Sequence, residues 1–179
     1  MDNLSATRLW AMRAAFAALA LVILFFHLLP LDTLPRRWAP PDLLIASVFA
    51  WTLRRPEFVP ALSIAVVMLV ADLMLQRPPG LLALLVLLGC EYLKNRAPGL
   101  REAGFAREWT AVAIVVLAVT LLNRLVLAVL LVPQAPLGPS LIQMVATIAA
   151  YPLVALITQT VLGVRRPAPI NARTMGSRI

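Results

Sequence analysis

The chain has 179 residues, 61% of them hydrophobic and only 13% charged, with a mean hydropathy of +0.89. Its apolar residues come in long blocks instead of recurring at a helical or strand period, which excludes a soluble core and points to one compact membrane domain. The formal net charge of +8 falls almost entirely between those blocks, so it reads as a topology signal facing anionic lipid head groups and not as a nucleic-acid footprint.

Six apolar blocks occur in order: Ala14 to Leu31, Asp42 to Leu53, Val59 to Gln76, Leu81 to Leu93, Trp109 to Val132, and Leu141 to Val164. They predict an all-α integral membrane protein, a six-helix transmembrane bundle over 14–164. Residues 1–13 form a cytoplasmic N-terminus, and 165–179 a basic, disordered cytoplasmic tail. Arg8 and Arg13 precede the first block as in a signal peptide, but Leu31-Asp32-Thr33-Leu34-Pro35 offers no small-x-small cleavage site, so it reads as a retained span. The second and fourth blocks are short. About 12 residues reach only about 18 Å of a hydrocarbon core about 30 Å thick, so these two need flanking residues, local thinning or a re-entrant path. Prolines punctuate the connections. Asp42, directly after Pro40-Pro41, fits a helix start where a carboxylate caps free N–H groups.

With both termini cytoplasmic, twelve Lys and Arg fall inside, three (Arg36, Arg37 and Arg77) fall outside, and Arg124 lies within the membrane. That is a strong positive-inside bias, and the fifth-to-sixth connection, Pro133 to Pro139, carries no charge, as suits an outer turn. Asp72 then lies about 20 Å and Arg124 about 22 Å from the inner side, both in the outer half. Ala61, Ala65, Met68 and Asp72 form one helical stripe; Ala113, Leu117, Thr120, Arg124 and Ala128 form another. The matching depth predicts an Asp72–Arg124 ion pair, or a polar cluster that adds Asn123, His27 and Gln143. A purely structural pair and a partner- or ligand-facing site both fit this cluster.

The remaining polar residues have plain readings. Glu91 and Lys94 are spaced for an i,i+3 surface pair, His27 reads as a packed or interfacial group, and Cys90 as a small buried hydrophobe. Trp10, Trp38, Trp51 and Trp109 lie near block ends, where interfacial anchoring accounts for them. Tyr151-Pro152 suggests a kink. Ser47 and Ser63 have no base at a recognisable spacing, and no nucleotide or metal motif occurs, so neither catalysis nor a cofactor is expected.

Several segments in order then carry a resemblance. Pro41-Asp42-Leu43-Leu44 opens the short second helix, Arg54-Arg55-Pro56-Glu57 forms the first inner turn, and Ala71-Asp72-Leu73 leads to the Pro79-Gly80-Leu81 hinge. Asn123-Arg124 sits in the fifth span. Over roughly Ala14 to Val164 this arrangement resembles the bacterial rod shape-determining MreD family. The resemblance implies a non-enzymatic inner-membrane component of the cell-elongation machinery for lateral peptidoglycan synthesis. It would work with MreC, the MreB filament, the glycosyltransferase RodA and a class B penicillin-binding transpeptidase. It also implies a fold similar to the substrate-binding subunits of energy-coupling-factor vitamin transporters. The family offers no catalytic residues to carry over; Asp42, Asp72, Gly80, Asn123 and Arg124 are the partner-binding or buried polar candidates on the depth argument. The competing expectation is a vitamin-like small-molecule-binding subunit of a transporter, with the outer polar cluster as its pocket.

Overall fold

A computed structural model describes residues 6–29, 39–102, 104–134 and 136–160. Among them are six α-helices: α1 Ala6–Leu28, α2 Leu43–Arg54, α3 Ala61–Met74, α4 Leu81–Glu102, α5 Gly104–Val129 and α6 Leu137–Thr160, with a 3-10 turn at Pro56–Phe58. Asp32, Arg36, Arg37, Trp38 and the expected tail over 165–179 lie outside the described residues.

Three helices, α1, α5 and α6, are long and apolar enough to cross a membrane, with 23, 26 and 24 residues; at 1.5 Å per residue each exceeds a hydrocarbon core of about 30 Å. Large apolar side chains line their outer faces, among them Leu21, Phe25, Leu121, Leu125, Leu153 and Leu156. The chain is a membrane protein on this measure. Helix α1 starts well before Ala14, so Trp10 and Arg13 are helical, and the Arg13 guanidinium lies over the Trp10 ring at 5.1 Å.

Helix α2 is short for a reason that the apolar pattern conceals. Every residue from Leu44 to Arg54 is buried, so the helix is enclosed by protein and has no lipid thickness to match. Phe16 of α1 packs against Trp51 with ring centroids 5.5 Å apart. On the other side Gly89 lets α4 close in: a Cβ there would stand 2.8 Å from Val115 Cγ1 and 3.4 Å from the Phe49 ring. Asp42 caps α2 as expected, its carboxylate accepting from the Ile45 amide at 3.1 Å. The α2 axis runs parallel to α6: the Asp42 amide donates to Thr147 Oγ1 at 2.8 Å, and at the other end Arg54 Nη1 donates to the Ala155 carbonyl at 2.8 Å.

Helix α4 packs between α3 and α5, and this arrangement corrects the stripe expectation. The buried face of α3 is Ile64, Met68, Ala71 and Asp72, not the Ala61–Ala65 line. That of α5 is Glu108, Val112, Val115, Val116 and Val119, while Leu117 is exposed. Both faces turn toward α4 and the bundle interior, so equal depth does not bring Asp72 to Arg124. The expected Glu91–Lys94 pair does form, at 2.8 Å, and Cys90 is buried.

Helix α6 contains Pro152, which has no N–H to give the carbonyl four residues earlier. That carbonyl, of Ile148, instead accepts from the Trp109 indole N–H at 2.9 Å. Trp109 is therefore a strap from α5 to α6, beyond the interfacial anchoring expected of it. Trp109→Phe is expected to lower stability by about 1 kcal/mol, the net worth of one hydrogen bond. In Pro152→Ala the restored amide can serve Ile148, so the Trp109→Phe loss measured by thermal unfolding should shrink in that background. An equal loss in both backgrounds would show that the strap is immaterial.

Candidate functional site

Because the Asp42 amide meets Thr147, ten residues into α6, α2 begins partway along the bundle, about 15 Å below the start of α6. Next to its first turn is a cavity of about 340 Å³, bounded by α2, the α3–α4 turn, α5, the α5–α6 connection and α6. Asp42, Arg77, Asn123, Arg124, Gln134 and Gln143 supply its polar wall, with Thr120, Ser140 and Thr147; Ile45, Leu82, Val116, Val119 and Met144 supply apolar surface.

The polar wall is tied together by specific contacts. Arg124 Nη1 donates to Ser140 Oγ at 2.7 Å, and the Gln134 amide donates to the Arg124 carbonyl at 3.1 Å, which joins α5 to α6 around their connection. Arg77 Nη1 lies 3.7 Å from Asp42 Oδ2. Asp42 thus does three things at once: it caps α2, anchors α2 to α6 through its amide, and faces Arg77.

Asp72 is fully buried, at 0% exposure, and its carboxylate does not pair with Arg124. Its Oδ2 accepts from the amides of Gly80 and Ala83 at 3.1 and 3.2 Å, two donors at the start of α4 that have no intrahelical partner. A carboxylate at a helix N-terminus also meets the positive end of the helix dipole. Asp72 is therefore the cap of α4, supplied from α3 across the turn. Gly80 has φ +89, a conformation that side chains with a Cβ resist, and its amide is half of the Asp72 contact. The turn itself opens with Gln76 at φ 53 and the Arg77 amide bonded back to the Asp72 carbonyl at 2.9 Å, a Schellman-type end to α3.

The five sequence candidates thus fall into two linked groups. Asp42, Asn123 and Arg124 share the cavity with Gln143. Asp72 and Gly80 build the turn behind it, and Arg77, one turn past Asp72, connects the two by reaching Asp42. His27 does not line this cavity; it borders a narrow crevice that also touches Asp42 and Arg77.

A second polar centre escaped the sequence reading. At the opposite end of α2, Arg54 and Glu108 are each only 3% exposed. Arg54 Nε stands 3.6 Å from Glu108 Oε1, while Arg54 Nη1 also donates to Gln159 Oε1 at 3.0 Å. The Tyr151 hydroxyl donates to Glu108 Oε1 at 2.7 Å, and its ring stacks on Phe105. Its place beside Arg55 at the first inner turn suggests a loop charge for Arg54; only Arg55 behaves so, partly exposed and paired with Glu57 at 3.1 Å. The only signal was an acidic residue at the edge of an apolar block, Glu108 before Trp109, with no Lys or Arg three or four residues away on α5 to pair with it.

Comparison with protein-family models, curated proteins and solved structures gave no match.

Proposed function

We propose that the chain is a non-enzymatic membrane component of a bacterial cell-elongation machinery, of the MreD kind, acting as a scaffold for peptidoglycan synthesis. In this reading all six helices cross the inner membrane, with α2 and α4 shielded by their neighbours, in a bundle similar to the substrate-binding subunits of energy-coupling-factor transporters. Both termini face the cytoplasm, so the Arg54–Glu108 centre lies toward the inner side and the cavity toward the outer.

One observation supports it above the others: the segments that carry the resemblance hold defined places in a single bundle. Asp42 opens α2, Arg54 closes it, Asp72 and Gly80 make the hinge, and Asn123-Arg124 border the cavity. Around this rigid interior, α1 and α3 present apolar faces that include Phe25, Phe26, Leu62, Val66 and Leu73. In lipid, such faces recognise another helix by close packing and not by a hydrophobic driving force. The partners are MreC first, with MreB, RodA and the class B transpeptidase in the same assembly.

Expression of this chain in rod-shaped cells depleted of their own MreD is expected to restore rod shape, with MreC recovered alongside it from detergent extracts. Cells that stay round, together with no recovery of MreC above that seen with an unrelated six-helix membrane protein, would reject the scaffold.

A further inference from the structure

The cavity beside the α2 N-terminus has no task in the scaffold reading. Its charged groups are engaged within the protein: Asp42 caps α2 and faces Arg77 at 3.7 Å, and Arg124 donates to Ser140 Oγ at 2.7 Å. Its uncharged groups are not. Thr120 and Asn123 of α5 and Gln143 of α6 line the same space, each partly buried, and among the described residues none of these three side chains has a hydrogen-bond partner. A polar group withdrawn from water without a partner costs free energy, so these three groups are what the cavity offers an occupant.

Their chemistry chooses it. The Asn123 and Gln143 amides each present an acceptor oxygen and two N–H donors, and the Thr120 hydroxyl serves in either sense. The complement of such a mixed set is an uncharged group that donates and accepts side by side, as a carboxamide or lactam does. A carboxylate brings no donor and an ammonium no acceptor. Placement gives the orientation. Val116, Thr120 and Asn123 follow one another along one face of α5, so the wall passes from apolar to polar toward the α5–α6 connection, and buried Val119 and Ile45 extend its apolar end. The volume of about 340 Å³ equals roughly eleven waters at their share of the liquid, at the small end of the range for ligand sites, about 300–1,000 Å³.

We propose that this cavity is a binding site for a small neutral amide carried on an apolar body. The amide is received between Asn123 and Gln143 with Thr120 beside it, and the body lies along Ile45, Val116 and Val119. The assignment is independent of the scaffold reading, since its readout is the isolated chain.

The test is thermal unfolding of the full-length chain in a neutral detergent, followed by tryptophan fluorescence, with cyclohexanecarboxamide as the probe. Three related compounds dissect it: the N,N-dimethyl amide keeps the acceptor without the donors, cyclohexanecarboxylate exchanges the amide for a charge, and acetamide lacks the body. Cyclohexanecarboxamide is expected to raise the midpoint by several degrees, as a ligand that binds only the folded state does, while the three related compounds leave it nearly unchanged. Asn123→Leu and Gln143→Leu, which remove the amides at similar side-chain size, and Val119→Phe, which fills the apolar end, should each abolish the shift. Leu62→Phe on the exposed face of α3 should keep it. Each variant is compared with and without probe at its own midpoint, so a destabilised variant still reports. No shift with the carboxamide, an equal or larger shift with any of the three related compounds, or a shift that survives in all three cavity variants would overturn the site.

Discussion

Arg54→Ala is expected to destabilise the chain by about 3–5 kcal/mol, the usual loss when one member of a buried ion pair is removed. The substitution strips the buried Glu108 carboxylate of the cation at 3.6 Å, while the Tyr151 hydroxyl still donates to it. It also removes the donor to the Ala155 carbonyl and to Gln159, so α2 loses its tie to α6 at this end. The penalty comes mainly from the buried Glu108 charge losing this cation, and a second substitution should reveal this. Arg54→Met combined with Glu108→Leu replaces both charges by apolar groups of similar reach, and most of the loss should return. Equilibrium unfolding in mixed micelles gives the cycle. A single-mutant loss below about 1 kcal/mol would place this network with surface pairs of little consequence, and a double mutant worse than either single would mean that the polar contacts themselves hold the three helices together.

Asp72→Ala should cost about 2 kcal/mol. Two amides at the start of α4, those of Gly80 and Ala83, lose the charged acceptor that the buried Asp72 supplies, and the loss of a helix cap alone typically costs about 1 kcal/mol. Asp72→Asn keeps an acceptor oxygen without the full charge and should recover about half. The geometry also makes a sharper prediction against the pairing that depth suggested. Since Asp72 and Arg124 hold different partners, the losses in Asp72→Ala and Arg124→Ala should add to within about 0.5 kcal/mol in the double mutant. A coupling above about 1 kcal/mol would restore the ion pair.

The hinge and the cavity are joined mechanically by this same residue. Asp72 fixes the start of α4 through its side chain and the Arg77 amide through its carbonyl, and Arg77 then meets Asp42 at the first turn of α2. A change at Asp72 is therefore expected to reach the cavity as well as the fold, whereas a change at Arg54 acts at the other end of α2.

What could be read from residues alone was whatever depends on near neighbours in the chain. Block length and composition identified a helical membrane protein, the Pro41-Asp42 step marked the start of α2, spacing paired Glu91 with Lys94, and a carboxylate inside an apolar block at Asp72 announced an interior position. Counting residues along six expected spans also sets an expected depth for each polar group, and it placed Asp72 and Arg124 near one level. Position around the bundle does not follow from counting. Only the packing of α4 between α3 and α5 separated Asp72 from Arg124 and gave it the α4 amides instead. Only enclosure by α1, α4 and α6 explained why α2 can be short, and only its parallel course beside α6 buried Arg54 against Glu108. The cavity has the same origin: a helix that begins about 15 Å below its neighbour leaves space there, and that offset is set by contacts between residues roughly a hundred positions apart, the Asp42 amide with Thr147 and the Arg54 side chain with Gln159.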